Sequence, residues 1–88
     1  MQSSKEKLVR AISKIVKNHR HKIGKTIYQI SAESSLDYST WRKIETCKYK
    51  DIKLTTIWKI AQGLDIYPDN LIKELRLELG SDFNLTDD

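Results

Sequence analysis

The stretch TIYQISAESSLDYSTWRKIET, residues 26–46, carries two short helical stripes separated by a four-residue break. Ile27, Ile30 and Ser31 fall at i, i+3 and i+4, the spacing of one helix face. Ser34-Ser35-Leu36-Asp37 interrupts that pattern with small and turn-forming residues, and Asp37 stands where it can cap the next helix. Trp41 and Ile44 restart the periodicity. Two short helices joined so tightly must cross steeply, which is the helix-turn-helix geometry.

The flanking sequence reads as support for this pair. Upstream, Leu8, Ile12, Ile15, Val16 and His19 define a first helix over residues 4–22, with Arg10, Lys14, Lys17 and Lys22 on its other side. Ser3 and Glu6 have capping-box spacing at its start, and Gly24 supplies a left-handed stop at its end. Thr26 caps a second helix over 27–34, and a third runs over 38–46. A polar, basic loop, Cys47-Lys48-Tyr49-Lys50-Asp51, comes next, without apolar period. Leu54, Ile57, Trp58, Ala61 and Leu64 give a fourth helix over 54–64; Gly63 lies inside that stripe, so Asp65 is the expected stop. Pro68 opens a fifth helix over 68–79, where its missing N–H costs nothing. Leu71, Ile72, Leu75 and Leu79 share one face of it, with Leu77 opposite. The expectation is an all-α compact bundle of about five helices in one domain over 1–80, with a loose acidic tail over 81–88.

Charge divides along the chain. Residues 1–53 hold thirteen Lys/Arg against five Asp/Glu, whereas residues 54–88 hold three against seven. Such polarisation points to one face that attracts a polyanion. With 39% hydrophobic residues and one Pro the composition is that of a folded domain, and the single Cys47 rules out an intramolecular disulfide. No apolar run reaches the roughly 18 residues of a membrane span, and Met1–Lys7 does not read as a signal peptide, so the expected address is the cytoplasm. His19 and His21 point about 200° apart on a helix and cannot share a metal. Acid/base and nucleophile constellations and Gly-rich phosphate loops are lacking; the reading is a non-enzyme with no cofactor, no metal and no small-molecule substrate.

At 100° per residue, the third helix divides into two halves. Tyr38, Trp41, Ile44 and Glu45 share one, with Trp41 and Ile44 central; Ser39, Arg42, Lys43 and Thr46 share the other. Hydroxyls and cations on a short anchored helix suit a major groove, where Arg and Lys donate to guanine and Ser or Thr pairs with any base. An ordinary amphipathic surface helix has the same wheel. Glu45 lies on the half that should be buried, and a buried carboxylate needs a cation; Arg20 is the candidate partner, unless Glu45 tilts into solvent.

Residues 15–72 resemble the helix-turn-helix domain of phage repressors and Cro, the xenobiotic-response-element type of bacterial regulator. The matching points are Thr26, Ile30-Ser31, Trp41-Arg42-Lys43-Ile44-Glu45, Ile60-Ala61-Gln62-Gly63-Leu64 and Pro68-Asp69-Asn70-Leu71. The resemblance implies a lambda-repressor-like fold, an Arg20–Glu45 pair, and Tyr38, Ser39 and Lys43 facing the bases, beside the Arg42 of the wheel. It also implies phosphate contacts at Thr26, Ile27, Thr40, Lys48, Tyr49 and Lys50. Three positions depart from the family pattern: Ile27 replaces a usual Gln, Ser35 the Gly of the turn, and Cys47 a Gly after the third helix.

The implied function is a sequence-specific, double-stranded-DNA-binding regulator of transcription, acting as a small repressor. The alternative is a protein-interaction module of the same fold, such as an antitoxin or an anti-repressor partner. Trp58, Leu77 and Leu79 are candidates for a homodimer interface; padding of a monomer core is the competing reading. Cys47 beside Lys48 is either a redox-sensitive thiol or a simple loop cysteine.

Overall fold

Ser3 opens the first helix by accepting the Glu6 N–H on its hydroxyl, and α1 (Ser4–Lys22) then runs unbroken for 19 residues. It is the backbone of a five-helix chain, continued by α2 (Ile27–Glu33), α3 (Tyr38–Glu45), α4 (Leu54–Leu64) and α5 (Pro68–Leu79). This computed structural model describes residues 3–86, and no strand is present among them. Helices α2 and α3 each end one residue earlier than the periodicity predicts, because Ser34 and Thr46 are already their C-caps.

Three helix ends close in the same way. After α1, Gly24 donates to His21 O and Lys25 to Arg20 O. After α3, Cys47 donates to Ile44 O and Lys48 to Lys43 O; after α4, Asp65 donates to Gln62 O and Ile66 to Ala61 O. Each pair of bonds satisfies carbonyls that a helix end leaves open, and each needs a left-handed residue at the turning point. Gly24 fills that role at φ +71°, but Cys47 (φ +60°) and Asp65 (φ +59°) do so with a Cβ.

The core gathers one face of every helix. Ile12, Ile15 and Val16 of α1 meet Ile30, Trp41, Ile44, Ile57, Ile60, Ala61, Leu64, Leu71 and Leu75. Helix α1 lies chiefly against α5 and α3, and α4 touches α1, α2 and α5. Gly63 belongs to this packing rather than to a helix end: a Cβ there would lie 2.7 Å from Trp41 Cζ2.

Several stripe residues sit elsewhere than the periodicity places them. Ile72 is 43% exposed, and Leu54 and Trp58 of α4 are 69% and 52% exposed. The buried face of α4 is centred on Ile57, Ile60 and Leu64, so Leu54 and Trp58 fall at its rim. His19 is half-buried and pairs across to α5, with Nε2 2.7 Å from Glu74 Oε2; Lys14 Nζ meets Glu78 Oε2 at 3.1 Å. The described part of the tail meets the start of α1 at Thr86. Ser4 Oγ donates to Thr86 O (3.0 Å) and accepts from Thr86 N (2.9 Å). Residues 1, 2, 87 and 88 lie outside the described residues.

Candidate functional site

Asp37 begins the third helix by accepting the Thr40 N–H at 2.8 Å. Hydrogen bonding to the Thr40 side chain, and next to the Thr40 backbone N–H, holds the Asp37 carboxyl below its ordinary pKa. From there Trp41, Ile44 and Glu45 point inward and are buried, while Ser39, Arg42 and Lys43 are exposed. Tyr38, on the inward half of the wheel, is 44% exposed because it sits at the first turn, where little packs over it.

Polar contacts at two places, the Glu45 end and the turn before it, fix this helix from beneath. Arg20 Nε and Nη2 donate to Glu45 Oε2 and Oε1 at 2.5 and 2.8 Å, a fork onto the carboxylate. Arg20 Nη1 donates to Lys25 O, so the guanidinium also binds the turn after its own helix. Hydrogen bonding to Glu45 raises the Arg20 pKa above its ordinary value; burial opposes that rise, and the carboxylate charge adds to it. Ser13 Oγ donates to the Glu45 backbone carbonyl at 2.8 Å, capturing an acceptor that the end of α3 leaves open.

The second contact lies in the turn. Trp41 Nε1 donates to Ser34 Oγ at 2.9 Å, and that hydroxyl donates on to Leu36 O. A buried indole N–H needs such a partner. Ser35 has no left-handed backbone, so the turn is built without the conformation that a Gly would supply; Ser34 organises it instead.

The residues assigned to phosphate divide into two groups. Lys48 and Lys50 are exposed on the loop after α3. By contrast, Thr26 spends its N–H on Gln29 Oε1 and takes the Gln29 N–H on its hydroxyl, a reciprocal cap that occupies both groups as they stand. Ile27 and Tyr49 lean onto the core, because partly burying an apolar side chain there is favourable. Thr40 is half-buried. On the outer half of α3, Thr46 turns its hydroxyl back to Arg42 O at 2.7 Å, which removes one expected donor from the surface.

Sequence reasoning passed over Ser13 and Ser34. No periodic signal marks either serine: the partner of Ser13 lies 32 residues away, and Ser34 meets Trp41 only through the fold of the turn. Trp58 and Leu77 (62% exposed) both face outward, whereas Leu79 leans on the core. Among the described residues, no three His, Cys, Asp or Glu side chains gather as a metal set, and no helix is long and apolar enough to cross a membrane. Comparison with protein-family profiles, with curated proteins and with solved structures finds no match for this chain.

Proposed function

We propose that this protein is a sequence-specific DNA-binding regulator of transcription that lays α3 in the major groove, acting as a small repressor. The observation that carries the reading is the division of α3. Ser39, Arg42 and Lys43 face solvent with Tyr38 at their edge, on a helix anchored by Trp41, Ile44 and the Arg20–Glu45 fork. Base reading needs side chains held in register by a rigid support, and this helix has that support. The resemblance to the phage repressor and Cro family points the same way. Lys48 and Lys50, on the loop that continues from α3, would add phosphate contacts.

The test is titration with mixed-sequence duplex DNA at two salt concentrations, following tryptophan fluorescence. Micromolar affinity that weakens steeply with salt is the expected result. Lys48→Ala and Lys50→Ala should weaken binding on every sequence and flatten the salt dependence. No binding at low salt would remove the reading.

Specific observations favour two further elements. Trp58, Leu77 and Leu54 are large apolar side chains left in water, as an interface would require. A symmetric homodimer through α5 and the tail would set two copies of α3 on neighbouring turns of a pseudo-palindrome. A monomer mass independent of concentration, in sedimentation at tens of micromolar, would exclude the dimer. The same surface would serve a protein-interaction module, the reading to which failure of DNA binding leads.

A further inference from the structure

An open surface cavity of about 460 Å³ lies between the first turns of α1 and the loop after α3. Lys5 and Arg10 line it from the helix, and Cys47 and Lys50 from the loop. Among the described residues, Glu6 is the single carboxylate in its wall and Val9 the single aliphatic residue. Its volume is that of a small-molecule site, but such sites are lined mainly by apolar side chains. Here Lys5 and Lys50, neither of them in an ion pair with a described residue, stand against one carboxylate, so the lining favours negative charge. Arg10 makes a contact inside the protein, whereas neither Lys5 nor Lys50 is ion-paired with a described residue. The left-handed backbone at Cys47 turns the loop so that Lys50 arrives opposite α1.

The geometry points to a phosphate-binding site in this cavity, distinct from the exposed face of α3. Resting on the proposed function, the phosphate is one of the duplex DNA backbone, so that Lys5 of α1 extends the footprint beyond the loop. Two ammonium groups, one from α1 and one from the loop, can both donate to a phosphate's several acceptor oxygens.

Cys47 is the only cysteine in the chain, so its alkylation reports on this cavity alone. Iodoacetate and iodoacetamide differ in charge and share a leaving group. Relative to a small free thiol, the rate ratio of anionic to neutral reagent should be raised several-fold at low salt. It should fall back toward the small-thiol value at high salt and in Lys5→Gln/Lys50→Gln. A ratio equal to that of the small thiol, or unmoved in a variant that melts normally, overturns the site.

Duplex DNA should slow the alkylation, and Lys5→Gln alone should reduce the salt slope of DNA binding by about 0.9, one phosphate contact. If DNA binds without protecting Cys47 and without that change in slope, the cavity is not part of the footprint, and the proposed function stands without it. If DNA does not bind but inorganic phosphate slows the iodoacetate reaction, the DNA reading falls and the site belongs to free phosphate. If neither slows it, the phosphate site falls.

Discussion

The indole of Trp41 occupies the space that a side chain at position 63 would need: a Cβ on Gly63 would lie 2.7 Å from Trp41 Cζ2 and 3.1 Å from Ser34 Cβ. Trp41 cannot swing away, because it is fully buried and its Nε1 is bound to Ser34. Gly63→Ala therefore pits a gain in helix propensity against a clash in the core. The clash should win, giving a net loss of about 1–3 kcal/mol. Thermal denaturation measures it, and a melting temperature at or above that of the parent would contradict the packing argument.

The Arg20–Glu45 fork yields a prediction about non-additivity. Arg20→Met strands a buried carboxylate and should cost about 3–5 kcal/mol. Arg20→Met combined with Glu45→Leu leaves no charge behind and should be clearly more stable than Arg20→Met alone. Denaturant titration of the double-mutant cycle tests this. A double variant as unstable as the sum of the singles would mean that the two side chains are energetically independent.

Cys47 stands in a conformation that a Cβ disfavours. Replacement by Gly relieves that strain, partly offset by the greater freedom of the unfolded chain, so Cys47→Gly should stabilise by about 0.5–1 kcal/mol. A rise in denaturation midpoint with unchanged slope is the expected signature. Cys47→Val should do the reverse, since β-branching is poorly tolerated at positive φ.

Asp37 should make stability sensitive to acid. Its carboxyl is held below the ordinary value of 3.8 by the hydrogen bonds to Thr40. A depressed folded-state pKa contributes stability that is present above the unfolded-state value and is lost as pH falls through the folded one. Melting temperature should thus decline as pH drops through and below 3.8 partly on account of this residue. Asp37→Asn keeps a cap-competent side chain and should flatten that part of the profile. An unchanged acid limb in the variant would remove Asp37 as a contributor.

Lys43 separates base reading from charge. On the proposed function, Lys43→Ala should relax the preference for one base pair by about 1–3 kcal/mol, while Lys48→Ala weakens all sequences alike. Competition binding against operator variants obtained by selection measures both. Equal losses on every sequence for Lys43→Ala would assign it to the phosphates.

The helices were legible because their signals are local. Ser3, Thr26 and Asp37 announce helix starts, and Ile57, Ile60 and Leu64 announce a face, within a window of a few residues. Asp65 could be chosen over Gly63 as the end of α4 because the apolar stripe runs past the glycine. What Gly63 does could not be read, since the reason lies in a tryptophan 22 positions earlier in the chain. Ser13 and Ser34 are silent for the same cause: their partners, Glu45 and Trp41, are set by tertiary packing. At the candidate site, the helical wheel placed Arg42 and Lys43 on the outer half of α3, and the lack of apolar period placed Lys48 and Lys50 in a polar loop. Neither signal could foresee that Thr46 satisfies its own helix, or that Tyr49 leans inward.

The clasp between Ser4 and Thr86 closes the described residues into a near-ring, with positions 4 and 86 meeting at one spot. Any segment joined before residue 4 and any joined after residue 86 would emerge side by side. A short linker across that gap would give a circular permutant, with new termini opened in an exposed loop such as 48–51, that keeps all five helices intact. Donor and acceptor dyes placed beside positions 4 and 86 would sit within close transfer range while the chain is folded. Loss of their transfer would then track unfolding of the whole bundle rather than of any single helix.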